Sequence, residues 1–134
     1  MIHQTYDTSG HPNGSVWPIW SALERPDLRP DQVYMTTVNA GTRKGPHLHQ
    51  VRSGLFVCVR GIAVLRLRLE SGEYRDEQIE PGTDPVEVQP GTACAIYAPR
   101  DQATLLNMPN PAWSAAYPDE HYVENWQDPD WWQQ

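Results

Sequence analysis

Glycine and proline cut the middle of this chain into runs too short for helices. Breakers stand at Gly41, Gly45-Pro46, Gly61, Ser71-Gly72, Pro81-Gly82, Pro90-Gly91 and Pro109. The candidate strands between them cover residues 33–38, 55–60, 63–70, 86–88, 93–97 and 104–106. Short strands separated by turn residues are the pattern of a sandwich or barrel. Helical patterning is nearly absent, although residues 17–24 have room for one or two helical turns before Pro26. A chain of 134 residues suits one domain with one core. The expectation is an all-β single domain: a barrel over residues 33–108, with arms at 1–32 and 109–134.

The arms read differently from the middle. The first is polar and proline-punctuated and carries Trp17 and Trp20; the second holds Trp113, Trp126, Trp131 and Trp132 among acids and prolines. Large exposed apolar side chains invite association, so these arms are expected to wrap the barrel or a second subunit. The 13 prolines and nine glycines are spread at turn-like intervals, unlike a disordered tail.

Charge and hydropathy narrow the function classes. A net charge of −7 argues against nucleic acid, whose phosphates demand a basic face. It leaves room for a small anionic ligand, which a few arginines can hold locally. No apolar run approaches the roughly 20 residues that a membrane-spanning helix needs. The Met1-Ile2-His3-Gln4 start is neither basic nor apolar, so no secretory signal is read and a cytoplasmic location is expected. Cys58 and Cys94 form no disulfide framework and are expected to be reduced there.

The clearest alternation is Leu65-Arg66-Leu67-Arg68-Leu69-Glu70. Period two puts the leucines on one face and Arg66, Arg68 and Glu70 on the other. The plain reading is a strand with a core face and a wet face. The sharper one places an arginine in a ligand pocket.

Chemistry concentrates in the stretch from Gly41 to Gln50, which holds His47 and His49 after a Gly-Pro turn. Histidines at i and i+2 on a strand point to the same side. Two imidazoles facing one cavity can ligate a metal, or supply a general base and its partner.

These residues carry a resemblance to the cupin superfamily. Its first motif is Gly, five residues, His, one residue, His, three or four residues, Glu, six residues, Gly. Gly41, His47, His49 and Gly61 fall at those places, while Gly54, or Ser53 in the shorter register, stands where the glutamate would be. In the second motif, anchored on Gly91, Cys94 takes the histidine place and Ala98 the asparagine place, with Pro90 and Gly82 each displaced by one. The usual cupin metal site has three histidines and a glutamate. This chain offers His47, His49 and Cys94, a set able to hold zinc, iron or copper, but no hard carboxylate. The reading favours a site without a metal or other cofactor.

Within the superfamily the chain resembles dTDP-4-dehydrorhamnose 3,5-epimerase and the dTDP-4-keto-6-deoxyhexose 3,4-ketoisomerases. The latter have an Arg-Gly-x-His-Ala-His segment after a strand bearing a tyrosine; here Lys44-Gly45-Pro46-His47-Leu48-His49 follows Tyr34. The resemblance implies a jelly-roll barrel. It also implies an isomerase or epimerase that moves a proton on a keto sugar, nucleotide-linked, with His47, His49 and Tyr34 as acid/base residues. A diphosphate needs cationic partners, for which Arg66 and Arg68, sharing a strand face, lead Arg52, Lys44, Arg60 and Arg43. Three other readings stand beside this one: a metal-dependent cupin dioxygenase or lyase, a non-catalytic sugar-binding or small-molecule-binding cupin, and a cyclase or isomerase of natural-product assembly. The expected assembly is a homodimer, the commonest symmetric oligomer.

Overall fold

The computed structural model describes residues 1–132. Ten strands follow one another: β1 (His3–Tyr6), β2 (Pro12–Val16), β3 (Tyr34–Val38), β4 (Thr42–Leu48), β5 (Ser53–Arg60), β6 (Ala63–Arg68), β7 (Tyr74–Ile79), β8 (Val86–Val88), β9 (Ala93–Ala98) and β10 (Ala103–Asn110). The first two form a separate hairpin. The other eight make two antiparallel sheets, ordered β3-β10-β5-β8 and β4-β9-β6-β7. The chain crosses between these sheets at every step except β6 to β7. That is the connectivity of a two-sheet jelly roll, and the fold is the all-β one expected. Among the described residues no helix is long and apolar enough to cross a membrane.

Several elements depart from the expectation: Gly45-Pro46 and Pro109, read as breakers, lie inside strands β4 and β10, and β4 is not among the expected strands. Residues 17–24 form no helix; only a turn closes there, with the Glu24 and Arg25 amides donating to the Ser21 carbonyl. Strand β7 was hidden because its sequence is charged. It pairs with β6 alone and lies at a sheet edge, where charged side chains deter pairing with other chains. The β1–β2 hairpin is equally polar in sequence and almost wholly exposed.

The core forms where the inner faces of the two sheets meet. Val38 and Leu105 from one sheet pack with Leu65, Leu67 and Ile96 from the other. Each such burial contributes roughly 1.5–3 kcal/mol. Both outer faces are covered by the arms. Trp17, Ile19, Trp20 and Leu28 lie on Leu55, Val57 and Met108, while Trp126 and Trp132 lie on Val64, Ala95 and Tyr97. The arms therefore wrap their own barrel.

The alternation in β6 settles where its arginines go. Leu65 and Leu67 are 0% and 4% exposed in the core, so Arg66 and Arg68 project from the opposite, outer face. There they fasten the C-terminal arm. Arg66 Nε donates to the Gln127 carbonyl at 2.9 Å, Arg66 also pairs with Asp76, and Arg68 Nη1 donates to the Glu124 carbonyl at 2.6 Å. Arg43 does the same work from β4 by pairing with Asp128 at 2.6 Å. The sharper reading of Arg66 and Arg68 as pocket residues is corrected: a barrel's ligand space lies on its leucine side, and these arginines face away from it.

Candidate functional site

At one end of the inter-sheet space the core side chains give way to a cavity of about 520 Å³. Strand β3 contributes Tyr34 and Thr36, β4 contributes Lys44 and His47, and His49 follows directly after β4. Phe56, Cys94 and Ile96 form its apolar wall, continuous with the core. Arg52, Asn107 and Glu120 complete the polar lining. Of the residues singled out in sequence, His47, His49, Tyr34, Lys44, Arg52 and Cys94 come together here. Arg60 does not: it is exposed at the far end of β5.

A bulge in β4 aligns the cationic and imidazole side chains. Lys44 pairs with Ile96 and His47 with Cys94, so three steps on β4 oppose two on β9. The extra residue at Gly45-Pro46 brings Lys44 and His47 onto one face, where an unbroken strand would separate them. Gly45 has φ +89, and a Cβ there would stand 2.8 Å from the Cys94 carbonyl oxygen. Only glycine fits this backbone. From the bulge, Lys44 Nζ reaches the Thr36 hydroxyl at 3.0 Å.

The two histidine rings lie parallel, their centroids 6.5 Å apart and their planes 8° from coplanar orientation. His49 Nδ1 lies 2.7 Å from the main-chain carbonyl oxygen of Asp119. A carbonyl only accepts, so Nδ1 carries a proton, and in the neutral ring the lone pair lies on Nε2. His47 Nδ1 lies 3.8 Å from the Glu120 carboxylate.

The C-terminal arm supplies both of these partners. Leu48 and His121 form an antiparallel bridge that brings residues 119–121 alongside β4. Asp119, in the left-handed region at φ 52, turns its carboxylate into the loop after His49. It accepts from the amides of Gln50, Val51 and Arg52 at 2.8–3.0 Å, and from His121 Nε2 at 2.9 Å. Burial pushes this carboxyl up, but the amides of Arg52, Gln50 and Val51 and the His121 ring outweigh it, holding the group well below the usual carboxylate range. Nothing in the sequence spacing links Asp119 to His49; the two meet only through the arm.

Tyr34, Asn107 and Arg52 form the other polar side. Asn107 Nδ2 donates to the Tyr34 hydroxyl at 2.6 Å, leaving the phenolic proton free to donate. Burial raises the Tyr34 pKa, and the nearby Glu120 charge adds to it against the opposing effects of Arg52 and Asn107. The phenol is therefore neutral at physiological pH. Arg52 is 6% exposed and joins none of the ion pairs among the described residues. One guanidinium nitrogen donates to the Pro118 carbonyl at 3.0 Å.

The residues do not fit a cupin metal centre. Cys94 stands opposite His47 as the second motif implies, where burial pushes its thiol up to about 12. Gly54 leaves the carboxylate ligand missing. Among the described residues no group of three or more His, Cys, Asp or Glu side chains converges in a metal-holding arrangement.

No protein-family model and no curated protein matches the chain. Solved structures do. The protein is similar to ChmJ, a 3'-monoepimerase from Streptomyces bikiniensis in complex with dTDP-quinovose, at a TM-score of 0.72 and 21% identity, over 92% of this chain and 66% of that one. It is similar to QdtA, a sugar 3,4-ketoisomerase from Thermoanaerobacterium thermosaccharolyticum in complex with TDP, at 0.69 and 17%, over 90% and 85%. The capsular polysaccharide assembling protein CapF from Staphylococcus aureus gives 0.65 and 21% over 70% of this chain. The chain spans about a quarter of CapF, 26% of its length. Identities this low speak for architecture, and the architecture is shared: the chain has the cupin jelly-roll fold of these sugar epimerases and ketoisomerases.

Proposed function

We propose that the protein is an isomerase or epimerase that moves a proton on a keto sugar carried by a nucleotide. The observation that carries this reading is the fixed tautomer of His49 inside a cavity that also holds a neutral phenol. A proton beside a ketone is acidic because its electrons can pass to the carbonyl oxygen. His49 Nε2 takes that proton, and the Tyr34 hydroxyl donates to the developing oxyanion. His47, beside Glu120, returns a proton to the same carbon or to its neighbour. The first outcome is epimerisation and the second moves the ketone.

The nucleotide part rests on Lys44 and Arg52, the two cations of the cavity, and on the TDP-bound relatives of the same fold. The reading involves no metal-centred step. It also has the protein acting as a homodimer, for which the edge position of β3, with exposed Met35 in it and Val33 just before it, offers a surface.

The test is turnover of dTDP-4-keto-6-deoxyglucose by native protein and by His47→Asn and His49→Asn. Removing a general base or acid costs about 10²–10⁴-fold. Native turnover lost by at least 100-fold in both variants supports the reading, and unchanged rates in both sink it.

A further inference from the structure

The C-terminal arm leaves one end of its sheet's outer face open. A second cavity of about 460 Å³ lies there, within the roughly 300–1,000 Å³ of small-molecule sites. The β4-β9-β6-β7 sheet separates it from the cavity of the histidines, and the two share no lining residue. Strand register builds it. Val64 of β6 is the floor, paired with Gln78 of β7 on one side and with Tyr97 of β9 on the other. Gln78 and Tyr97 therefore stand about 10 Å apart, two strand spacings, across an apolar valley. Trp131 lies against Tyr97 as one wall, its ring edge-to-face with Tyr97 and Trp132 at centroid distances of 5.7 and 6.1 Å. The Tyr97 hydroxyl is itself tied to Asp128 and Trp126, so this wall is held from behind. Tryptophan is well buried on average, yet Trp131 is 46% exposed here. Asp76, two residues before Gln78 and on the same face of β7, completes the opposite wall. Arg66 Nη1 donates to both Asp76 oxygens at 2.9 Å, which matches their charge and leaves each oxygen a further lone pair. Pro99 and Arg100 close the end where β9 stops. Arg100 is exposed and joins none of the ion pairs among the described residues, so the unmatched charge of this cavity is positive.

These groups describe an occupant with three properties. An apolar ring face suits Trp131 and Val64. A negative charge suits Arg100. Hydroxyls suit the free lone pairs of Asp76 and the Gln78 amide, which both donates and accepts. A neutral sugar lacks the charge, and an aromatic acid lacks the hydroxyls. We propose that this outer cavity is a second ligand site, taking a uronic acid in its pyranose form, with the ring face on Trp131, the carboxylate on Arg100 and ring hydroxyls on Asp76 and Gln78. The site is independent of the keto-sugar reading, since it uses none of the residues of the inter-sheet cavity.

The experiment titrates the native chain with methyl β-D-glucuronide while the Trp131 indole N–H resonance, identified by its loss in Trp131→Phe, is followed by NMR. A saturable shift is expected. Methyl β-D-glucoside, the neutral counterpart, and benzoate, an anion without hydroxyls, are each expected to bind about three- to tenfold more weakly. Arg100→Gln, which touches no part of the arm, is expected to bring the glucuronide down to the level of the glucoside. Trp131→Ala is expected to abolish binding, read from the ligand's own signals by saturation transfer. Excess TDP is expected to leave the titration unchanged. Displacement of the glucuronide by TDP would place it in the inter-sheet cavity and overturn the second site. Equal affinity for glucuronide and glucoside, or for glucuronide and benzoate, overturns the uronic acid as its ligand. Absence of any shift, or full binding by Arg100→Gln, overturns the proposal outright.

Discussion

The His49 ring donates from Nδ1 to the Asp119 carbonyl oxygen across 2.7 Å, joining the end of β4 to a residue 70 positions later in the C-terminal arm. The arm thereby sets which imidazole nitrogen carries the proton of the neutral ring. The Asp119 carboxylate, through three amides, also sets the path of the loop that carries Arg52.

Asp119→Ala should damage both stability and function. It leaves three loop amides without their acceptor, for a loss of about 2 kcal/mol or more by thermal or denaturant unfolding. Turnover should fall with it, because His49 and Arg52 lose their common support. Asp119→Asn, which tolerates the left-handed backbone and keeps one acceptor, should fall between this variant and the native protein.

The same carboxylate predicts a pH dependence. Its folded pKa is depressed below that of an ordinary carboxyl, so its contribution to stability is full above the ordinary value and is lost as pH falls through the folded one. Unfolding curves should show flat stability from this group at neutral pH and a decline beginning only in acid, below about pH 4–5. That acid decline should be smaller in Asp119→Asn.

Gly45→Ala should be poorly tolerated. The added Cβ meets the Cys94 carbonyl at 2.8 Å, and the backbone sits at φ +89. A cost of roughly 1–3 kcal/mol is expected from the backbone conformation alone. Relief of the clash by opening the β4 bulge would turn His47 out of line with Lys44, so activity should drop further than the stability loss explains.

Arg66→Met and Arg68→Met should leave ligand affinity unchanged and loosen the C-terminal arm. Each removes a tie to a main-chain carbonyl on the outer face, worth about 1 kcal/mol. Proteolysis of the arm and calorimetric binding of TDP separate the two effects. Weakened TDP binding with an intact arm would place a ligand on the outer face instead.

Native protein should resist thiol reagents at pH 8. Cys94 is 7% exposed with its thiol pushed up to about 12, and burial also raises the Cys58 pKa. Reaction of both cysteines should appear only on unfolding in guanidinium, and rapid native labelling of Cys94 would contradict its neutral, buried state.

Much of this architecture is legible from local pattern. Glycine and proline mark most of the turns, although Gly45-Pro46 and Pro109 lie inside strands; period two marks the inner faces, and His47 and His49 share a side because strand side chains alternate. What stays hidden involves distance along the chain or a broken period. Lys44 joins His47 only through the Gly45-Pro46 bulge. Glu120 and Asp119 reach the site only because Leu48 bridges to His121. Strand β7 escapes notice because an edge strand carries charge where an inner one carries valine or leucine. The outward direction of Arg66 and Arg68 follows from the leucines between them once the cavity is known to open on the leucine side.

In the proposed reaction His49 removes a proton from the carbon beside a ketone. The most direct measurement is proton NMR of dTDP-4-keto-6-deoxyglucose in deuterium oxide with native protein and with His49→Asn. The account predicts loss of a ring-proton signal next to the ketone with native protein, at a rate at least 100-fold above that with the variant. Equal exchange with both proteins, or no exchange with native protein, would contradict it.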